Sequence, residues 1–316
     1  MKFGIGDGPR RVEDPVLVRG QGRYTDDVHV EGALKGHVFR SPVAHATITK
    51  LDVEAARSAP GVVAVLTGEE LTQDDVKPLA CLTDIRNGDG SKHPKPPRHI
   101  LAKDKVRHVG EPVAFIIAET LAQARDAADL IEFDFDELPV ATGTYEATLD
   151  GAPQVWEEAP NNVILDYEKG DKEEVAGIFD KAAKVSKVRI INNRLVCNAM
   201  EPRAAVAEVK PGDGKITLYV PSQGPAMQMQ QLSAMLGIDM KNLRLVTGHV
   251  GGGFGTKAFL YPEACLTLWA AKRLGRSVRW TGDRGEMFVS DSQGRDHVTF
   301  VEVAMDEQNR FQALRA

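Results

Sequence analysis

The sequence predicts an α+β fold, and three observations carry the prediction. Short apolar runs at 62–66 and 113–118 have strand length and are rich in Val and Ile. Helical stripes with start signals in front of them alternate with the strands: Thr120 before Leu121, Ala124, Ala128 and Ile131, and Pro225 before Met229, Leu232 and Leu236. Between these two series lies one block, residues 138–160, broken by Pro139, Gly143, Gly151, Pro153 and Pro160.

Taken in order, residues 1–34 read as an irregular N-terminal arm. Its first eleven residues carry Lys2, Arg10 and Arg11 without an apolar block, so they are not a secretory signal. Strands are expected at 34–40 and at 46–51, separated by the break Ser41-Pro42. Asp52 can cap a short helix over 53–58, and the apolar run at 62–66 follows as a buried strand. Residues 84–99 are polar and interrupted by Gly and Pro, which predicts an exposed loop. The strand at 113–118, the helix capped by Thr120 and a strand at 131–135 complete an α+β domain over 17–137.

Residues 138–160 are then a linker, and a second domain occupies 161–316. Its expected strands are 184–193, 204–209, 216–220 and 243–247, the last running into a glycine cluster. The helix opened by Pro225 stops at Gly237. A second helix starts at Pro262, shows a stripe of Leu260, Ala264, Leu268 and Ala271, and ends with Lys272 and Arg273 before Gly275. Residues 298–304, 306–310 and 311–316 read as strand, turn and return strand. A sheet edge left there is the mark of a fragment, or of a split subunit completed by another chain.

Composition narrows the functions. A chain of 316 residues with 42% hydrophobic and 27% charged residues is ordinary globular material, long enough for two cores. A net charge of −6 argues against nucleic acid, whose phosphates demand a basic surface. No apolar run reaches the length of a bilayer span. Cys81, Cys197 and Cys265 are far apart and form no C-x-x-C pair, so they read as reduced thiols of a cytoplasmic protein rather than as ligands. Any iron–sulfur cluster would sit on another chain.

Three stretches carry chemistry. In Val250-Gly251-Gly252-Gly253-Phe254-Gly255-Thr256-Lys257 the glycines let the backbone approach a ligand and present N–H groups to a phosphate or an oxo group. The spacing fits neither a Walker loop nor G-x-G-x-x-G, and a plain tight turn is the alternative. In Pro221-Ser222-Gln223-Gly224-Pro225, Gln223 can donate its amide to a ligand oxygen or can simply be solvated. In the stretch from Asn193 to Arg203, Glu201 and Arg203 read as an ion pair. His29, His45 and His108 have no metal-ligand spacing.

In this order, Met200-Glu201-Pro202-Arg203, the Gln223 turn and Gly251-Gly252-Gly253-Phe254-Gly255 resemble the molybdenum-cofactor-binding subunit of the xanthine dehydrogenase, aldehyde oxidase and carbon monoxide dehydrogenase superfamily, in its N-terminal part. Arg11-Val12-Glu13-Asp14, Gly20-Gln21-Gly22-Arg23-Tyr24-Thr25-Asp26-Asp27 and Arg40-Ser41-Pro42-Val43-Ala44-His45-Ala46 are similar to the family's leading arm and α/β hammerhead domain. The stretch from Trp280 to Glu286 and Gly294-Arg295 match further downstream, so the likeness covers nearly the whole chain.

The resemblance implies an α/β hammerhead domain followed by the first part of a molybdopterin-binding domain. It implies a molybdenum–molybdopterin cofactor, in its cytosine dinucleotide form, approached by Gln223, Gly252, Gly253, Phe254 and Gly255. The Gln223 amide would bond the apical oxo ligand, and the backbone at Phe254 would approach the molybdenum ligands; neither ligates the metal. The intact enzyme would oxidise an aldehyde, an N-heterocycle or a related carbon centre, with water as oxygen source. Its 2Fe-2S and FAD groups would lie on iron–sulfur and flavin partner subunits. The catalytic glutamate belongs to a C-terminal remainder, so no catalytic base is expected within these residues. Purine-oxidising members carry Glu where this chain has Ala258, which points away from a purine. The alternatives are a non-catalytic cofactor-holding subunit whose partner carries the glutamate, and part of a carbon monoxide dehydrogenase large subunit.

Overall fold

The computed structural model describes residues 6, 8, 10–210, 212 and 214–316. Part of the expected N-terminal arm, residues 1–5, 7 and 9 with Lys2 among them, lies outside the described residues. The rest of the arm holds a short helix α1 (Asp14–Leu17) and one 3-10 turn at Thr25–Asp27.

The first series is β1 (Leu34–Arg40), β2 (Ala46–Asp52), α2 (Glu54–Arg57), β3 (Val62–Leu66), α3 (Gly68–Gln73), β4 (Lys105–Val106), β5 (Pro112–Ala118), α4 (Leu121–Ala128) and β6 (Glu132–Glu137). The second is α5 (Lys172–Lys181), β7 (Lys184–Leu195), β8 (Ala204–Val209), β9 (Ile216–Tyr219), α6 (Pro225–Leu236), β10 (Leu243–Val246), α7 (Pro262–Leu274), β11 (Val278–Thr281), α8 (Arg284–Ser290), β12 (Gly294–Met305) and β13 (Phe311–Arg315). Each expected strand and helix is present within a few residues of its expected ends. Six further elements, α1, α3, β4, α5, α8 and β11, come from the structure.

Local chemistry explains the starts. Thr120 Oγ1 accepts from Gln123 N–H, and the Gln123 side chain returns to the Thr120 N–H, a reciprocal cap. The same device opens α3 through Thr67 and Glu70, and α8 through Asp283 and Glu286. Asp52 accepts from the Glu54 N–H at 3.1 Å, at the head of α2. The run in β5 is buried at every position because the strand lies inside a sheet covered on both faces.

That sheet has seven strands in the order β10-β9-β8-β11-β1-β5-β3. It draws β1, β5 and β3 from before residues 138–160 and the other four from after them. The seam is parallel: Leu34 faces Val278, Lys35 faces Arg279, and the Leu34 N–H reaches the Ser277 carbonyl at 2.9 Å. One core follows the sheet across the seam, joining Leu66, Leu71 and Phe115 to Leu218, Leu232, Leu266 and Trp269. The intervening segment lies against the first series, with the Arg107 guanidinium 3.9 Å over the Trp156 ring.

The single stripe expected for α7 is too narrow: all nine residues from Glu263 to Ala271 are buried. This helix is the centre of the core, and Ala, Cys and Thr on its remaining faces let neighbours approach closely. Residues 84–99 form the expected loop, but it buries His93, whose ring nitrogens lie 3.0 Å from the carbonyl oxygens of Thr83 and Pro94. The sheets β13-β12-β7 and β4-β2-β6 flank the large one. No helix of the described residues is long and apolar enough to cross a membrane.

Candidate functional site

Strands β9 and β10 run parallel, so their carboxyl ends open on the same side. Loops at such strand ends converge, which is where sheets of this kind hold ligands. Here the Gln223 turn leaves β9 and the glycine loop leaves β10. The Val220 N–H to Val246 carbonyl bond (3.1 Å) and the Thr247 Oγ1 to Val220 carbonyl bond (3.0 Å) keep the two side by side.

The two loops are tied residue to residue. Gln223 N–H donates to the Lys257 carbonyl at 3.0 Å, and Gly255 N–H donates to Gln223 Oε1 at 3.0 Å. That second bond fixes the amide's sense: the oxygen is engaged by Gly255, so the NH₂ end points elsewhere. Among the described residues Nε2 has no hydrogen-bond partner. The approach requires Gly253 to lack a side chain, because a Cβ there would lie 2.5 Å from Gln223 Cδ and Oε1.

Around Gly253 the backbone is left-handed, with φ of 100° at Gly252, 49° at Phe254 and 89° at Gly255. The N–H groups of Gly252, Gly253 and Phe254 have no partner among the described residues. A run of free, fixed donors is an anion-binding concavity. Phe254 holds its ring 74% exposed. Gln223, Gly252, Gly253, Phe254 and Gly255, separated by about thirty positions in sequence, therefore stand together.

Beneath the loop lies a charged brace. Lys257 is buried, and its Nζ donates to the Glu201 carbonyl (2.9 Å) and to Glu201 Oε2 (2.8 Å). Burial pushes the Lys257 ammonium pKa down, against the pull of Glu201. Glu201 Oε2 also accepts from the Gly251 N–H at 2.8 Å. The N-terminal arm closes over the same place, for Arg23 N–H donates to His249 Nδ1 (2.8 Å) and the Arg23 carbonyl accepts from His249 N–H (3.0 Å).

Glu201 and Arg203 are not the expected ion pair. Arg203 turns away into the core and bonds both Glu263 carboxylate oxygens, Asp291 Oδ1 (2.6 Å) and Ser290 Oγ (2.7 Å). Its guanidinium lies 3.9 Å over the Tyr261 ring. Glu263 is shared with Arg40 of β1 (2.7 Å), which also bonds Glu286 (3.0 Å). Burial would push the Glu263 carboxyl up; the charges of Arg203 and Arg40 outweigh it and hold the pKa at about 2. This cluster ties β1 to α7 and α8, and sequence reasoning did not find it.

Next to the loop opens a cleft of about 1050 Å³, lined among others by Met227, Ala258, Phe259, Tyr261 and Phe288. The described residues contain no group of three or more His, Cys, Asp or Glu side chains placed to hold a metal. Cys81 and Cys197 are accessible and Cys265 is buried, all as free thiols. The site offers neutral donors to a ligand's oxygens, which fits a metal centre held by its own organic cofactor.

Comparison with known proteins places these features. Residues 155–316 match the molybdopterin cofactor-binding domain, and residues 19–139 match the aldehyde oxidase and xanthine dehydrogenase a/b hammerhead domain. The chain is 33% identical over 313 residues to the nicotine 6-hydroxylase large subunit of Paenarthrobacter nicotinovorans, covering 98% of this chain and 37% of that protein. It is 31% identical over 324 residues to the carbon monoxide dehydrogenase large chain of Afipia carboxidovorans, covering 99% and 39%. The fold superposes on quinoline 2-oxidoreductase from Pseudomonas putida 86 with a TM-score of 0.89 and 32% identity, covering 98% of this chain and 38% of that one. The chain thus spans under two fifths of the length of these relatives. By its matched domains it belongs to the molybdopterin cofactor-binding family of aldehyde oxidases and xanthine dehydrogenases.

Proposed function

We propose that this chain forms one wall of the molybdenum-cofactor site in a hydroxylase that oxidises an aldehyde, an N-heterocycle or a related carbon centre, with water as oxygen source. One observation carries the reading. The Gln223 amide NH₂ and the backbone N–H groups of Gly252, Gly253 and Phe254, on two interlocked loops, are donors without a partner among the described residues. When bound, the molybdenum cofactor supplies the two-electron oxidation of the substrate carbon. The chain's own residues hold and orient. Gln223 donates to a cofactor oxygen, the N–H groups of the nest stabilise negative charge there, and Gly255 keeps the Gln223 side chain in place. Phe254 and Phe259 exclude water beside the loop.

The division into a hammerhead part at 17–137, a connection at 138–160 and a cofactor-binding part at 161–316 is supported by the spans of the two matched domains. The cytosine dinucleotide form of the cofactor, 2Fe-2S and FAD groups on iron–sulfur and flavin partner subunits, and a cytoplasmic location belong to the same reading. So does a glutamate base supplied by further polypeptide, the counterpart of the length by which the relatives exceed this chain. Within that reading these residues hold the cofactor and leave proton abstraction to the remainder. The test is metal analysis of the assembled protein together with dye-linked oxidation of aldehydes and N-heterocycles. One molybdenum per chain with turnover is the expected result. Assembled protein free of molybdenum overturns the reading.

A further inference from the structure

Gln228 sits in the first turn of α6, five residues after Gln223, and its side chain is 3% exposed. Its Nε2 lies 2.8 Å from the Phe259 carbonyl, 3.1 Å from the Lys257 carbonyl and 3.3 Å from the Ala258 carbonyl. An amide has two hydrogens to give, so one serves Phe259 and the other is shared by Lys257 and Ala258. These three carbonyls belong to Lys257, Ala258 and Phe259, separated from the donor nest only by Gly255 and Thr256. The Lys257 carbonyl also accepts the Gln223 N–H, and Ala258 N–H donates back to the Gly255 carbonyl at 3.1 Å. The turn into α6 and the helix itself therefore grip the loop twice, at its exposed rim through Gln223 and at its buried base through Gln228. On the far side, Phe259 stands 60% exposed and lines the cleft with Met227 and Ala258.

We infer that Gln228 is a positioning residue for the cofactor loop. Its buried donor fixes the backbone at 257–259, and through it both the N–H nest at 252–254 and the Phe259 wall of the cleft. The inference rests on the cofactor reading above, but its first measurement does not. Three carbonyl oxygens converging on one donor demand a hydrogen, and a side chain that merely fills the space cannot meet that demand.

The experiment uses the assembled holoenzyme with Gln228→Met, which keeps the length and removes the donor, and Gln228→Glu. Hydrogen exchange of a peptide covering residues 251–261 is followed together with molybdenum content. In Gln228→Met exchange there should rise by about tenfold while other peptides keep their rates, and molybdenum content should fall several-fold. In Gln228→Glu the buried carboxyl is held neutral to unusually high pH; neutral it donates, ionised it repels the carbonyls. Protection, taken relative to the wild-type enzyme at the same pH because exchange itself is base-catalysed, and molybdenum retention should therefore recover at pH 6 by about tenfold relative to pH 9, and Gln228→Met should show no such recovery. Wild-type exchange and metal content in Gln228→Met would overturn the inference. If that variant does not fold, a pH-independent Gln228→Glu overturns it equally. Should the wild-type enzyme itself hold no molybdenum, the cofactor reading fails, and the exchange data still decide whether Gln228 clamps the loop.

Discussion

At Gly253 one absent methyl group sets the geometry of the site. The Gln223 side chain occupies the place a Cβ would take, so Gly253→Val must push Gln223 off its bond to Gly255. Molybdenum content of the assembled protein should fall at least tenfold, while the core, which these residues do not enter, keeps its thermal stability. Normal metal content would show that the loop has slack. Gln223→Ala removes a donor without adding bulk. Turnover should then drop by about 10²–10³, more than cofactor content does, since a single fixed donor is worth that much where charge develops. Equal losses in both would reduce Gln223 to a brace for Gly255. The donors themselves were legible, because glycines and a turn glutamine announce close backbone approach. Their supports were not. Lys257 meets Glu201 across 56 positions, whereas the pairing of Glu201 with Arg203 followed mere nearness in sequence. The polar side chain of Gln228 in a helix looks solvent-facing until its neighbours are known.

Among the elements, α3 and α8 had readable starts, Thr67-x-x-Glu70 and Asp283-x-x-Glu286. They are short and weakly apolar, so periodicity gave them no support. The strand β11 has four residues, too few for a pattern to stand out. Periodicity did find α7, but only one of its faces, since small and polar residues on the others hide their burial. Its first turn carries Glu263, the anion on which Arg203 and Arg40 both converge. Glu263→Gln leaves Arg203 with Asp291 and Arg40 with Glu286, in a site closed to water. Breaking a buried pair in this way should destabilise the fold by about 3–5 kcal/mol, read from thermal or denaturant unfolding. The pH dependence has a definite sign. The folded carboxyl titrates near 2 against an ordinary 4.5, so its contribution is fully present above 4.5 and is lost as pH falls through 2. In Glu263→Gln that part of the acid sensitivity should vanish. A variant as acid-labile as wild type would assign the loss to other carboxylates.

For the whole molecule, the strands were readable along the chain but not their neighbours in the sheets; the seam between β1 and β11 joins residues some 240 positions apart and left no local trace. The small sheet also shows what periodicity does not reveal. Strand β7 is exposed at all twelve positions, and Val185, Val188, Ile190, Ile191 and Leu195 lie open on both its faces. So much exposed apolar surface marks a place of association. Residues 1–316 purified alone should bind less than a tenth of an equivalent of molybdenum and oxidise no aldehyde or N-heterocycle, whereas co-expression with the polypeptide that completes the longer relatives should restore both. Stoichiometric metal and steady turnover from these residues alone would show that they contain their own base. The seven-stranded sheet bears on a different matter, the exchange of parts between related enzymes. The two matched domains look like interchangeable modules, yet β1 finds its neighbour in β11, and Asp74 at the end of α3 bonds Trp269 and Arg273 of α7. A hammerhead grafted from a relative at residue 139 would arrive with a strand edge and an acidic contact shaped for another host. Successful chimeras should need β1, the α3 terminus, β11 and the matching face of α7 to travel as a set, however far apart they lie along the gene.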